Sequence, residues 1–517
     1  MNWLTLPLCI ESLLVCVILF LFCIRPPHTL EKLTDDEVRE LCEEWEPEPL
    51  INTARADHEN DDIVLESAAG PYVSAKVLEN GKCITKTMLN MAGFDFLGLG
   101  MREELRQAAL ATLDKYGCGS CGPRGFYGTI DTHVDLEAGI AEFIRSDEAI
   151  IYSDGASATS SAIPAFAKRG GKFCGCFAVQ CPTICLAEGK KINEEGRESG
   201  TLTPRPTSPA PPSDLIVADV GCHDAVRTGI VLSRSFVKFF KHNDMRDLER
   251  VLQRISDADL CDGRSRGKAI QLQRRFIVVE GLYRNYGDFC PLPELVTLKE
   301  QYGFRLIMDE SFSFGALGAT GRGIAEYYGV DRGAVEITTA SMGNALSSIG
   351  GFCAGSREVV DHQRLSGAGY CFSASAPPFL SAVATASLAL VASEGTNLVR
   401  RLRSNAMLLH EEVGGIKGLR VTSAEGSPIV HCALDHDHVE HRADRMADLA
   451  VLAAIARASR AHGAIVVHSK YVAALEGSDL PCPSLRLTVS AAHTPQDVAK
   501  GAAALAIAVA EVLGELV

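Results

Sequence analysis

Three features that would place a chain of 517 residues in a familiar class are missing from this sequence. It has no Asn-x-Ser/Thr glycosylation site, which agrees with a globular part that faces the cytosol. It has no basic tract, and its formal net charge of −15 argues against a nucleic-acid-binding surface. Its 18 cysteines do not recur at the spacing of a disulfide framework, so we expect reduced and mostly buried thiols.

Lysine is also missing from one long stretch, because none occurs between Lys299 and Lys417. This stretch includes Val335–Phe352, which is typical of a short β-branched strand that runs into a loop of small residues and closes on Gly350 and Gly351. Such strand ends are where α/β enzymes gather ligands and reactive groups. A Schiff base needs a primary amine, and no side chain of this stretch supplies one.

The chain is long and apolar enough to bury a large core, since 47% of its residues are hydrophobic. We predict a membrane anchor at 1–30 and an N-terminal segment at 31–110. A large domain is predicted at 111–375, followed by a small C-terminal α/β domain at 376–517.

The predicted anchor is the apolar stretch Leu4–Ile24, which is long enough to span about 30 Å of hydrocarbon. Arg25, His28 and Lys32 follow it, and this charge bias favours the cytosolic side for the rest of the chain. A cleaved signal peptide is disfavoured, because the segment lacks a basic start and an A-x-A-like exit. An interfacial or buried apolar helix is the remaining alternative.

The order of the predicted elements is typical of an α/β fold. Thr34 can cap a helix that begins at Asp35. From Glu148 onward, short apolar strands alternate with helices, as they do in a parallel sheet. Two long helices, around 379–394 and 396–414, are expected to lead into the small domain.

Residues 170–213 interrupt this alternation. They contain a proline-rich run that fits neither a helix nor a sheet, so we expect a disordered loop. Whether the segment is an insertion or a translated intron stays open. Its four cysteines lack a further ligand pair at zinc-binding spacing, and we predict no metal site.

A glycine-rich string covers Tyr116–Glu137. Its Gly-x-Gly-x-x-Gly start matches a dinucleotide-binding fingerprint, but it follows a helical pattern and not a strand, so we interpret the match as false. The whole string resembles the "G-x-R-x-x-x-G-T-x-x-x-H-x-x-L-E" signature of the α-oxoamine synthases, pyridoxal-phosphate enzymes that join an amino acid to an acyl-CoA. The resemblance implies a loop at a dimer interface beside the active site, with four candidate residues: Cys121, Arg124, Tyr127 and His133.

Three further strings resemble the same family and imply a cofactor site. In Asp219–Gly229, His223 stands where the family stacks a histidine on the pyridoxal ring, and in Arg305–Gly315, Asp309 stands where a carboxylate pairs with the pyridinium nitrogen. Phe312 replaces the histidine of that second motif. The third string, His362–Pro378, implies that two serines reach across the dimer to the neighbour's cofactor phosphate: Ser373 and Ser375.

Two other places complete the implied site. The turn into the helix after the strand at 149–152 is where the family holds the cofactor phosphate, so Gly155 and Ser157 are candidates. Arg486, in a string that resembles the family's C-terminal strand, stands where the family binds the substrate carboxylate. An arginine paired with a surface carboxylate is the alternative interpretation of Arg486.

The family's Schiff-base lysine stands six positions before the first glycine of the Gly-Gly pair, and here that position is Asn344. With the anchor and the string Trp45–Leu50, this resembles the non-lysine, long-chain-base-1-type subunits of eukaryotic serine palmitoyltransferases. The resemblance implies a fold-type I pyridoxal-phosphate-dependent transferase, an α/β fold with a large parallel or mixed sheet. It also implies a heterodimer with a lysine-bearing subunit-2-type chain, which holds pyridoxal 5'-phosphate covalently.

By the same resemblance, the complex condenses L-serine with palmitoyl-CoA at the endoplasmic reticulum membrane, the first step of sphingolipid synthesis, and this chain has no catalytic residue of its own. Two alternatives stay open. The chain could be a pseudoenzyme that acts as a scaffold or lipid sensor, or an α-oxoamine synthase that is active by itself; the missing lysine argues against the latter.

Overall fold

The computed structural model describes residues 34–45, 63–66, 70–79, 82–168, 213–266, 273–436, 445–471 and 480–514. The predicted anchor and nearly all of the 170–213 segment lie outside these residues. The chain divides into two compact units, Met1–Asp62 and Ile63–Val517, which are described separately.

In the first unit, the described residues form the helix α1 (Asp35–Glu44). The Thr34 hydroxyl accepts a hydrogen bond from the backbone amide of Glu37 at 3.4 Å, and the Glu37 carboxylate accepts one from the Thr34 amide at 2.8 Å. This reciprocal capping box confirms the predicted start of the helix.

The second unit contains the other helices and strands that the structure describes. Its strands, in chain order, are β1 (Val64–Leu65), β2 (Tyr72–Glu79), β3 (Lys82–Asn90), β4 (Glu148–Tyr152), β5 (Leu215–Asp219), β6 (Phe236–Phe240), β7 (Arg275–Glu280), β8 (Arg305–Asp309), β9 (Ile337–Ser341), β10 (Gly351–Gly355), β11 (Leu419–Val421), β12 (Ile429–Leu434), β13 (Ala464–Ile465), β14 (Val467–His468) and β15 (Leu485–Thr488). Its helices are α2 (Glu103–Tyr116), α3 (Asp131–Ile144), α4 (Gly155–Phe166), α5 (Asp224–Ser233), α6 (Met245–Arg266), α7 (Leu292–Tyr302), α8 (Ile324–Tyr328), α9 (Arg357–Ser366), α10 (Ala368–Cys371), α11 (Pro378–Gly414), α12 (Arg445–Ala461) and α13 (Pro495–Gly514).

A seven-stranded sheet with the order β4-β10-β9-β8-β7-β5-β6 forms the centre of the unit. β10 runs antiparallel to both of its neighbours, and the other neighbouring pairs are parallel, so the sheet is mixed. Strands β5 and β7 are apolar and almost entirely buried, as expected for a sheet covered on both faces. Because the parallel strands share one direction, several polar side chains meet at one edge, namely Asp219, Glu280, Asp309 and Ser341.

One prediction about the helices was wrong. The two helices expected around 379–394 and 396–414 are a single helix, α11. Gly395 lies within it, and a Cβ atom at this position would come 2.9 Å from the backbone oxygen of Thr320. The glycine therefore allows the helix to pack closely against the loop that contains Thr320, and it does not end the helix.

Within the described residues, α11 is also the one helix that is long and apolar enough to cross a membrane by length and composition. Leu388, Val391, Leu402 and Leu409 of this helix are nevertheless buried in the hydrophobic core. We therefore interpret α11 as a core helix.

Two smaller sheets flank the central one. The first has the order β1-β2-β3-β13 and the second the order β11-β12-β15-β14. β13, from the C-terminal part, pairs in parallel with β3, from the N-terminal segment. The N-terminal segment and the C-terminal part thus share a sheet. The domain boundaries at 110 and 375 stay a prediction.

Candidate functional site

Asp309 is the last residue of β8 and lies at the polar edge of the central sheet, where it is buried. One carboxylate oxygen accepts a hydrogen bond from the Ser311 amide at 2.8 Å, and the other accepts from the hydroxyls of Thr339, at 3.2 Å, and Thr159. Burial by itself raises the pKa of Asp309, but His223 and these hydrogen bonds outweigh it and hold the pKa below its ordinary value. The carboxylate therefore stays ionised.

His223 follows β5 and caps α5, with its Nδ1 accepting from the Ala225 amide at 3.1 Å. Its Nε2 lies 3.7 Å from Oδ1 of Asp309, and it is buried without a hydrogen-bond partner in the described part of the chain. Burial lowers the pKa of His223, but Glu280, Asp224 and Asp309 raise it well above its ordinary value. The structure thus brings together the two residues that were predicted to hold the cofactor ring.

Glu280, which the sequence analysis missed, is the last residue of β7 and lies beneath His223. Its carboxylate accepts from the backbone amides of His223, at 2.6 Å, and Arg284, at 3.1 Å. Burial raises the pKa of Glu280 to about 7. An acidic residue directly after the apolar run 276–279 is the sequence signal that could have identified it.

Arg284 pairs with Asp224 on the other side of His223, at 3.0 Å. His223, whose Nδ1 lies 3.5 Å from Oδ1 of Asp224, and the charge of Arg284 lower the pKa of Asp224 to about 2. The neighbourhood of His223 therefore contains more carboxylates than the predicted Asp309 alone.

Asn344 lies in the loop between β9 and β10. Its side-chain amide donates to the backbone oxygen of Ser311 at 2.7 Å, and its own backbone oxygen accepts from the Phe96 amide at 3.0 Å. The position of the family's lysine is therefore tied to the loop that follows Asp309, and it offers no nucleophilic amine.

Aromatic rings lie beside His223. The Phe312 ring lies edge-to-face with His223, 6.0 Å between centroids, and with Phe94, 5.0 Å between centroids. The Arg486 guanidinium lies 4.3 Å from the centroid of Phe94.

Arg486 is charged and half-buried. Its Nη2 donates to the backbone oxygen of Ala92 at 3.3 Å, whereas its Nε is buried without a hydrogen-bond partner among the described residues. Burial, with the nearby charge of Arg284, lowers the pKa of Arg486 to about 10. No carboxylate of the described residues forms an ion pair with it, which disfavours the interpretation as a surface ion pair.

The predicted phosphate seat at the start of α4 is already capped by the chain itself. The Asp154 carboxylate accepts from the Ser157 amide and from the Ser157 hydroxyl, each at 2.8 Å. A Cβ atom on Gly155 would lie 2.5 Å from Oγ of Ser341, so the helix start packs directly on β9. The Ser157 amide is thus satisfied, and the carboxylate beside it repels anions.

The two candidate serines of the 371–376 segment differ in what they contact. The Ser375 hydroxyl lies 2.7 Å from the backbone oxygen of Gly122 and 2.6 Å from that of Gly128, so it holds the glycine-rich loop of its own chain. Ser373 is half-buried, and its hydroxyl lies 3.1 Å from that of Ser153, just before α4.

Two of the four candidates in the glycine-rich string lie inside the chain. Both Nη atoms of Arg124 donate to the buried Glu137, at 2.8 and 3.1 Å. His133 is fully buried, and its Nε2 donates to the backbone oxygen of Ala376 at 2.8 Å. Burial lowers the pKa of His133. Arg124 and His133 therefore support the loop from beneath and do not project from it.

The other two candidates are exposed. Tyr127 is 95% exposed and Cys121 is also exposed. Phe126, at 73%, and Phe372, at 87%, are also exposed, on the two loops that the Ser375 hydrogen bonds join. We call Phe126, Tyr127 and Phe372 the aromatic patch. Exposed aromatic rings on adjacent loops are typical of a surface that binds another protein.

The residues of this site do not fit a covalently held pyridoxal phosphate. Asn344 supplies no amine, Asp154 occupies the phosphate seat, and Phe312 fills the place of a polar ligand to the ring. We therefore assign no reaction step to a cofactor bound by this chain alone.

Residues 206–505 match the family model described as "Aminotransferase class I and II". The chain is 40% identical over 509 residues to long chain base biosynthesis protein 1b of Oryza sativa subsp. japonica, covering 98% of this chain and 92% of that protein. It is 37% identical over 489 residues to serine palmitoyltransferase 1 of Dictyostelium discoideum, covering 93% and 89%.

Solved structures share the fold at lower identity. A serine palmitoyltransferase from S. paucimobilis, with a bound PLP-myriocin aldimine, superimposes with a TM-score of 0.68 at 21% identity, covering 93% of this chain and 98% of that one. An 8-amino-7-oxononanoate synthase from Francisella tularensis superimposes with a TM-score of 0.58 at 20% identity, covering 83% and 99%.

Proposed function

Because this chain belongs to the family of long chain base biosynthesis protein 1 and serine palmitoyltransferase 1, within the pyridoxal-phosphate-dependent class I and II aminotransferases, we propose that it is the lysine-lacking subunit of a serine palmitoyltransferase. The complex condenses L-serine with palmitoyl-CoA to 3-ketodihydrosphingosine and releases CO2 and CoA. A bond forms between the serine α-carbon and the palmitoyl carbonyl carbon, while the serine carboxylate leaves as CO2 and the thioester bond to CoA breaks.

The observation that carries this proposal is the environment of Asn344. Its amide is held by the Ser311 backbone oxygen, in a chain segment that has no lysine between Lys299 and Lys417. The amine must therefore come from a second chain, a lysine-bearing subunit-2-type partner. The partner holds pyridoxal phosphate, which supplies the electron sink for the condensation.

The role of this chain is to complete and stabilise the partner. The aromatic patch supports this role, because its rings are exposed on the same loops that the family resemblance places at the dimer interface. Ser373 is a better candidate than Ser375 to approach the partner's cofactor phosphate, since the Ser375 hydroxyl is engaged within its own chain.

The proposed location is the endoplasmic reticulum membrane, with a single span at 1–30 and the globular part in the cytosol. The physical reason is that palmitoyl-CoA and the long-chain ketone product both partition into membranes. Protease digestion of sealed microsomes tests this topology: the globular part should be degraded without detergent, and protection of it would contradict the proposal.

Co-expression with a lysine-bearing family member tests the function. The purified pair should release CoA in a reaction that needs both L-serine and palmitoyl-CoA, and this chain alone should show neither activity nor a borohydride-reducible band near about 420 nm. Copurification in mild detergent measures the association separately. The matched negative control is the partner expressed without this chain.

Two alternatives predict different results. A scaffold or lipid-sensing pseudoenzyme would copurify with the partner, but CoA release would not change when the chain is omitted. An independently active synthase would show the reducible band and turnover without any partner. Either result would contradict the proposed division of roles.

A further inference from the structure

A cavity with a volume of about 590 Å³ lies at the opposite edge of the central sheet from Asp309. It is lined by residues at or just before the amino-terminal ends of parallel strands, among them Arg274, which precedes β7, Phe276 of β7, Arg305 of β8 and Ile337 of β9. Asp309 lies at the other end of β8, about 13–17 Å away for a five-residue strand. The cavity is therefore separate from the site described above.

Four arginines from different parts of the chain line this cavity: Arg145, Arg274, Arg305 and Arg332. Arg274 is neutralised by Asp214, at 2.9 Å. The other three form no ion pair with a carboxylate in the part of the chain that the structure describes. Unpaired guanidinium groups at one cavity favour an anionic ligand, because their fork of N–H donors matches phosphate geometry.

Arg332 provides the sharpest observation. Its Nη1 donates to the backbone oxygen of Val335 at 2.8 Å, which fixes the side chain at the cavity wall. Its Nη2 is buried and has no acceptor among the described residues. A buried N–H group without a partner is unfavourable, and an anion in the cavity would supply the missing acceptor.

The carboxylates at the cavity do not cancel this charge. Glu336 accepts from Lys299 at 2.6 Å and from the Leu306 amide at 2.7 Å, so it is already paired. Asp147 and Glu358 also line the cavity and have no basic ion-pair partner among the described residues. Among the residues that line the cavity, three unpaired arginines thus face two unpaired carboxylates. Glu310 and Asp331 also act on Arg332, but burial outweighs them and lowers the pKa of Arg332.

One wall of the cavity is aromatic. The rings of Phe166 and His362 lie 5.0 Å apart at 43° to each other. The His362 Nε2 donates to the backbone oxygen of Ala165 at 2.9 Å, which holds that ring in place. Val359 and Ile337 add apolar surface beside them. This wall suits a flat ring, which inorganic phosphate does not have.

We propose that this cavity binds a nucleoside phosphate, with its phosphates on Arg145, Arg305 and Arg332 and its base against Phe166 and His362. The volume lies within the roughly 300–1,000 Å³ of small-molecule sites. A lone phosphate would leave most of this volume empty, and an apolar ligand would leave Nη2 of Arg332 unpaired.

Calorimetric titration of the full chain with ADP, in detergent and with any co-purifying partner, tests the proposal. Adenosine and pyrophosphate are the separate arms for the base and the phosphates. We expect saturable binding of ADP that is at least about tenfold tighter than that of either fragment. Arg305→Glu should weaken ADP binding by about tenfold or more, whereas Arg400→Glu, an exposed arginine on α11, should not.

Hydrogen exchange on the unaltered protein gives a second readout that needs no variant and no activity. ADP should slow exchange in residues 332–337 and 356–362. Absence of ADP binding, or equal affinity in the Arg305→Glu and Arg400→Glu variants, would overturn the proposal. The latter result would place the nucleotide elsewhere, for example where the ADP-like part of palmitoyl-CoA binds. Pyrophosphate binding as tight as ADP would refute the role of the aromatic wall.

Discussion

Replacing Arg124 by Met should destabilise the fold strongly, because it removes half of a buried ion pair. Arg124 and Glu137 are 4% and 10% exposed, and two hydrogen bonds join them. The change leaves the Glu137 carboxylate buried without its cation, which costs about 3–5 kcal/mol in the free energy of unfolding. The matched control is Arg102→Met, whose pair with Glu394 is half-exposed and worth about 0–1 kcal/mol.

A double variant separates the charge from the packing. Arg124→Met with Glu137→Leu removes both charges, so the cost should be smaller than the sum of the two single changes. The recovery should be partial, because Glu137 also accepts from the Ile151 amide at 3.0 Å. That buried amide would lose its acceptor at a cost of about 1–3 kcal/mol.

Urea unfolding followed by circular dichroism, with unfolding and refolding curves that coincide, measures these differences. The Arg124→Met variant should also capture less of the proposed lysine-bearing partner, since Arg124 supports the loop that carries Tyr127. If Arg124→Met costs no more than Arg102→Met, to within about 1 kcal/mol, the pair does not carry the energy assigned to it.

Three other predictions follow from the site and its surroundings. Asn344→Lys alone should produce no borohydride-reducible band in the isolated chain, because the Asp154 carboxylate still caps the start of α4, where the cofactor phosphate was predicted to bind. A clear band would contradict the conclusion that these residues do not fit a covalently held pyridoxal phosphate. Phe372→Ser should reduce copurification of the partner by about tenfold or more. The control is Leu365→Ser, which changes an exposed residue outside the aromatic patch and should have little effect. Equal effects of the two changes would refute the patch as the interface. His242 is held between two carboxylates, one of them Asp219 at 2.9 Å, and although burial lowers its pKa, they raise it from 6.5 to about 10. The protonated His242 ring thus stabilises the fold fully below pH 6.5, and this stabilisation is lost as the pH rises through about 10. The urea concentration at the unfolding midpoint should therefore fall over this pH range, and it should fall less in the His242→Gln variant.

The predicted phosphate-binding site at the start of α4 left out one residue that its sequence shows. The glycine and serines after the strand predict a helix start, and the structure has α4 begin at Gly155. The same few residues include Asp154, an acidic N-cap, whose carboxylate accepts a hydrogen bond from the Ser157 amide. The signal was local and could have been used, since Asp is a favoured N-cap residue.

Other features could not be predicted, because their partners are far apart in the chain. The Ser375 hydroxyl meets the Gly122 oxygen across 253 positions, and Thr159 meets the Asp309 carboxylate across 150. The local sequence pattern indicates neither the distance between two such residues nor whether they are buried. For the same reason, a resemblance placed Arg124 and His133 in an interface loop, whereas packing put them beneath it.

The sequence by itself determined that no lysine lies between Lys299 and Lys417, so Asn344 and its neighbours supply no primary amine, and no geometry is needed to recognise this. It also determined the alternation of strands and helices, because apolar spacing and capping residues are local. Only the tertiary structure decided that Glu280 lies beneath His223, that Arg486 has no carboxylate partner among the described residues, and that arginines from four separate segments share one cavity. Those facts depend on which strand ends meet at the same edge of the sheet, and the order of strands arises from packing the whole chain.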